Sequence, residues 1–402
     1  MNRIPTYVWW ILGAVVVGAA VLLGVLSSMG RSSPAQQQNS SFGSGAQSGG
    51  TVGTVNEQPG SANIPTASNS TDRIFKLSGG PVAAVVSIET LHPTTTLARF
   101  VMQDSGHVFD LMLDSQGALP KAVSNTTIPG IERALFAHGG TQALLQYFDG
   151  GTIKTVSVGL AIPGATTSAP TRLQFLPDNV LDVALSPSGV QAAYLLRTNA
   201  GADGYIANYD GTSPKKLFSL PLTQVLLSWP AAGTLLVGTN SAAGVPGMLF
   251  SVDAKAGTVR SLLYAPGLTG AGAPDFSEVV YQTDAGGGPI TYAHNTKTGR
   301  DTELSFDPSP ERCVWSPANT LWCAAALTYT TGSFLDLWHI GLIAPMDSIV
   351  SYDVSMRTTL TTPGKDGGDP ASIASVALSP DGRYLLYITS GDRALWAVRI
   401  TQ

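Results

Sequence analysis

The chain has 402 residues, of which 44% are hydrophobic and only 12% charged, about half the usual charged share. A net charge of -5 with no basic block excludes a protein that tracks phosphates, since nucleic-acid binding needs clustered Lys and Arg. Two cysteines exclude a small disulfide scaffold, and 44 glycines with 26 prolines point to a turn-rich, all-β protein outside the cytoplasm.

Residues 1–6 form a short tail carrying Arg3. Tyr7 to Met29 follows with no charged residue, and about 20 apolar residues suffice to span a bilayer core. Tyr7, Trp9 and Trp10 sit at one end of this run, where an interfacial aromatic belt lies. A cleaved signal peptide is the alternative. Its apolar region is normally about 7–15 residues, shorter than this run, and Leu26 to Gly30 is a poor cleavage site. The expectation is an uncleaved, single-pass transmembrane anchor with the N-terminus cytoplasmic and the bulk extracytoplasmic. Residues 30–71 hold only two charges, Arg31 and Glu57, among Gly, Ser, Gln, Asn, Thr, Ala and Pro. Such a segment cannot offset the entropy of ordering, so it reads as a disordered tether.

From residue 72 to 402 short apolar runs alternate with turn clusters, and no convincing amphipathic helix of twelve or more residues appears. Val183-Ala184-Leu185-Ser186-Pro187-Ser188-Gly189 recurs almost intact as Val376-Ala377-Leu378-Ser379-Pro380-Asp381-Gly382. Leu227 to Pro230, Gly272 to Asp275 and Val314 to Pro317 occupy the same slot, and Phe136 to Gly140 is a degenerate copy. Pro187, Pro230, Pro274 and Pro317 are 43, 44 and 43 residues apart, and the step to Pro380 is 63. A second landmark is an Asp or Asn ending a strand, at Asp114, Asp210, Asp253, Asn295 and Asp353. Recurrence at a turn marks these as turn-stabilising side chains rather than a carboxylate array.

A period near 43 with four strands per unit is the mark of a β-propeller. First strands are expected at about Val82, Ile131, Leu181, Val225, Gly270, Arg312 and Ser375, giving seven blades, with eight as the alternative. The last unit has only three strands, so Arg73 to Ser78 is expected to supply its fourth and close the ring. The Ser-Pro-[Asp/Ser]-Gly pattern at 186–194 and 379–387 resembles the propellers of the TolB type and their WD-like relatives. The resemblance covers roughly Arg73 to Gln402 and lacks the Trp-Asp dipeptide of the strict WD repeat. It implies a non-catalytic binding platform at a cell envelope, with a protein or envelope component as partner.

No catalytic, cofactor or metal site is expected. His92, His107, His138, His294 and His339 show no metal-ligand spacing, and no Gly-x-Ser-x-Gly elbow occurs. A glycan lyase or hydrolase remains the alternative; two or more carboxylates with a His or Arg on one face would favour it. Cys313 and Cys323 face each other if their hairpin is symmetric about Ala318. They are either a disulfide, favoured by an oxidising compartment, or two buried thiols. Thr328 to Asp347 breaks the repeat and is too apolar for a free loop, with Phe334, Leu337, Trp338 and His339 at its centre. It is expected as a short helix or hairpin that either packs on the ring or docks a partner.

Overall fold

The computed structural model describes residues 73–400 apart from 92–93, 116, 125, 138, 164–171, 329–333, 355–357 and 363–371. The expected anchor at Tyr7 to Met29, the linker, His92 and His138 lie outside the described residues. Among the described residues no helix is long and apolar enough to cross a membrane.

Seven four-stranded antiparallel sheets make up the described chain. Blade 1 is Val82–Leu91, Thr94–Met102, Val108–Met112 and Lys121–Ser124; blade 2 is Ile131–Phe136, Gln142–Asp149, Thr152–Gly159 and Arg172–Phe175. Blade 3 is Val180–Leu185, Gln191–Thr198, Gly201–Asn208 and Lys215–Leu220; blade 4 is Val225–Ala231, Thr234–Thr239, Pro246–Asp253 and Val259–Pro266. Blade 5 is Thr269–Gly272, Glu278–Asp284, Pro289–Asn295 and Asp301–Glu303; blade 6 is Cys313–Trp315, Thr320–Ala326, Asp347–Asp353 and Thr358–Thr362. Blade 7 takes Ile373–Leu378, Tyr384–Thr389 and Leu395–Arg399 from the C-terminal end, and its fourth strand is Ile74–Lys76. The pairing of Ile74 with Val398 and Lys76 with Trp396 is the expected closure. The seven first strands start within two residues of their expected positions. Arg312 is the largest correction in kind, because it belongs to a 3-10 turn, Pro310–Arg312, that leads into the strand.

Each first strand contacts the first strand of the next blade or, in blade 6, the turn before it, and that of blade 7 contacts that of blade 1. The buried apolar residues fall into seven clusters, one at each junction between neighbouring blades. Apolar area removed from water contributes about 25 cal/mol per Å², so the ring is held by its junctions. Cross-strand aromatic pairs recur between second and third strands: Phe100 with Phe109, Tyr194 with Tyr205, Tyr281 with Tyr292, Tyr387 with Trp396.

The Ser-Pro turns join first to second strands. Gly382 N–H donates to Ser379 O at 2.9 Å, and Ser379 Oγ accepts from Tyr384 N at 2.8 Å. Ser186 and Ser316 make the same pair of bonds, which is why the slot selects a serine. Its fourth residue is left-handed at Gly189, Phe276, Asn319 and Gly382, with φ of +73°, +56°, +59° and +70°. Blade 4 departs from the pattern: Pro230 lies inside the first strand, at a break in register between Ser228 and Ala231, where its missing N–H does not disturb the ladder. Strand alternation puts these turns and the third-to-fourth links on one face of the ring. The second-to-third and blade-to-blade links are on the other.

Candidate functional site: the helical insert and the channel cavity

The insert is the second-to-third link of blade 6. It holds a six-residue helix, α1, at Phe334–His339, stopped by Gly341 at φ +73°. Phe334 and Leu335 are buried. Asp336 Oδ1 accepts from Ala243 N–H at 2.9 Å, fastening the helix to blade 4. On the blade 6 side the Trp338 ring stacks on the Arg312 guanidinium, 4.9 Å from the ring centroid. His339 Nε2 lies 3.0 Å from Glu311 Oε2, and Glu311 Oε1 accepts from Thr269 of blade 5 at 3.3 Å. The hydrogen bond from His339 to Glu311 holds the imidazole above its ordinary pKa. α1 is therefore fastened on both sides of the short first strand of blade 5. Of the four residues singled out in the sequence, Phe334 faces the interior, Trp338 and His339 face Arg312 and Glu311, and Leu337 is half-buried. The exposed apolar residues are their neighbours, Ile340 at 67%, Leu342 at 70% and Met346 at 56%.

Arg312 and Asp347 are both fully buried. Arg312 Nη1 reaches both Asp347 oxygens at 2.7 Å, and Asp347 Oδ2 also accepts from Ile373 N–H of blade 7 at 2.7 Å. Burial pushes the Asp347 carboxyl up against the pull of Arg312. Sequence reasoning missed this pair because its members are 35 residues apart and fall outside the repeat. Arg99, also fully buried, is held by Asp110 and by the carbonyls of Gly140 and Ala161.

Cys313 pairs directly with Cys323 across the first hairpin of blade 6, and the two are joined as a disulfide. Cys313 also lines a cavity of about 640 Å³. The cavity exists because the first strand of blade 5 is Thr-Gly-Ala-Gly, too small to fill the space that larger side chains occupy elsewhere. Trp229, Pro230 and Leu236 of blade 4 and Glu311 and Trp315 of blade 6 line it, with Arg133 and Asp182. Arg133 is ion-paired to Asp182, whose other oxygen accepts from Leu227 N–H at 2.6 Å.

On the opposite face, Asp114 and Asp381 gather round Arg383, Thr96 and Tyr384 at the junction of blades 7 and 1. Asp114 thus departs from the turn role expected of it, whereas Asp210, Asp253 and Asn295 each accept backbone N–H groups of their own turns. Burial opposes ionisation of Asp381, but bonds from Ser379, Arg383 and Thr96 outweigh it and bring its pKa down to about 2. His107 and His294 pair with Thr127 and Asp301. Among the described residues no group of three or more His, Cys, Asp or Glu is placed to hold a metal.

No family model matches the chain, and no curated relative matches it. Among solved structures, a chain of a crystal structure of the Mitotic Checkpoint Complex is 13% identical, with a TM-score of 0.51, covering 85% of this chain and 98% of that one. A chain of Kuenenia stuttgartiensis hydrazine synthase is 12% identical, with a TM-score of 0.50, covering 76% and 92%. At such identities the likeness is one of fold, and that fold is the WD40-like seven-bladed β-propeller.

Proposed function

We propose that the chain is a membrane-anchored, extracytoplasmic binding platform without catalytic activity, and that it docks a protein partner through the insert on blade 6. The observation that carries this reading is the exposed apolar set Ile340, Leu342 and Met346, held out from a helix that is itself fastened to two blades. Rigidly presented apolar side chains in a departure from a repeat are the usual makings of a recognition surface. The same architecture serves in a multi-component assembly in the checkpoint complex. Anchoring and orientation rest on the charge-free run Tyr7 to Met29, and the TolB-type relationship on the Ser-Pro-x-Gly turns.

Ile340→Asp with Leu342→Asp in the full chain tests the docking surface. Cross-linking in intact cells should give one dominant adduct with the wild-type chain and lose it with the variant, while thermal unfolding stays unchanged. The same adduct at the same yield from both chains would sink the reading. Protease added outside intact cells should remove the propeller; full protection would overturn the orientation. The enzyme reading has one observation in its favour, the Asp114, Asp381 and Arg383 cluster. Its carboxylates are occupied by hydrogen bonds that hold both below the usual range, which suits a fastening between blades better than a proton donor.

A further inference from the structure

We infer that the channel cavity beside blade 5 is a binding site for a neutral, mainly apolar small molecule bearing an acceptor oxygen. Its volume, about 640 Å³, falls in the range of small-molecule pockets, about 300–1,000 Å³. Trp229 is 7% exposed, Trp315 faces it from blade 6, and both line the cavity. Neither indole N–H has a hydrogen-bond partner among the described residues. An indole only donates, and a buried donor left unpaired costs about 1–3 kcal/mol, so the wall presents two donors that an acceptor oxygen would satisfy. Neutrality follows from the charges: Arg133 and Asp182 pair with each other, and Glu311 with His339. A charged ligand would enter without a free counter-charge. The glycines of the blade 5 strand are committed elsewhere, since a Cβ at Gly270 or Gly272 would press on Leu249 or Pro230 of blade 4 at 3.0 and 2.9 Å. Strand alternation leaves Thr269 and Ala271 as the positions whose side chains can occupy the space.

This site is independent of the docking surface, and so is its test. The probe is benzophenone, a neutral diaryl ketone that inserts into nearby C–H bonds on irradiation. The full chain in its membrane is photolabelled over a range of benzophenone concentrations, and the labelled peptides are mapped by mass spectrometry. Saturable labelling within 226–239, 269–273 or 310–315 is the expected result. Ala271→Phe, which fills the cavity, should abolish it. Trp229→Phe should weaken apparent affinity about fivefold, the worth of one hydrogen bond. Ile340→Ser with Leu342→Ser should leave it unchanged. Labelling confined to the insert surface or to Tyr7 to Met29, an absence of saturation, or undiminished cavity labelling in both Ala271→Phe and Trp229→Phe would overturn the assignment and leave ordered water as the partner of the two indoles. If Ala271→Phe does not fold, Trp229→Phe decides.

Discussion

Arg312 shows how much a single side chain can carry in a ring of this kind. It is buried, ion-paired to Asp347, capped by Trp338, and joined through Asp347 to the backbone of blade 7. Asp347→Ala would leave a buried guanidinium without its counter-charge, and removing one member of a buried pair costs about 3–5 kcal/mol. Denaturant unfolding should show that loss, and Arg312→Met added to Asp347→Ala should recover much of it. Gly382 is a cleaner case. Its φ is +70° and a Cβ there would meet nothing within 4 Å, so Gly382→Ala isolates the backbone term, about 1–2 kcal/mol. Asn319→Gly, at φ +59°, should be neutral or slightly stabilising in the same assay. Gly382 was legible in the sequence because Ser-Pro-x-Gly has one conformation to adopt. Arg312 was not, because nothing in the spacing of charges announces a partner 35 residues away.

At the scale of elements, α1 was readable as a departure from the repeat and as a short helix or hairpin. Which of its residues point outward was not, since six residues give too few turns for an apolar stripe to show periodicity. The cavity was equally hidden. Thr269 to Gly272 is visible as a weak strand, but a strand of small residues reads as poor β-propensity, not as space between two tryptophans on neighbouring blades. The fastening of α1 should depend on pH. Its bond to Glu311 raises the folded-state pKa of His339, so its stabilisation is fully present below the unfolded value of about 6.5 and is lost as pH rises through the raised one. Hydrogen exchange over residues 334–343 should therefore accelerate on the alkaline side beyond the intrinsic rate, and His339→Ala should abolish that extra acceleration.

At the scale of the whole molecule, the repeat period gave blade number and closure correctly, because every unit states the same strand-turn-strand pattern. The seam is the point to test. Deleting residues 1–71 should leave the melting temperature of the propeller unchanged, whereas deleting residues 1–78 removes the fourth strand of blade 7 together with Phe75 and Leu77, both buried at the seam. That second truncation should lower it sharply. Acid should open the same junction. Asp381 has its pKa depressed to about 2, so its contribution holds above the unfolded value of about 3.9 and is lost as pH falls towards 2. Asp381→Asn should flatten the acid limb of a stability-against-pH curve. The seam also sets a timetable for biosynthesis. Ile74–Lys76 is made early but pairs only with Leu395–Arg399, so it must wait while some three hundred intervening residues are translated. At about 5–20 residues per second that interval is roughly 15–65 seconds. For that time Ile74 and Phe75 have no native edge to join. The nascent chain thus carries an unsatisfied strand through nearly the whole of its synthesis, and ring closure is necessarily the last native contact rather than the first.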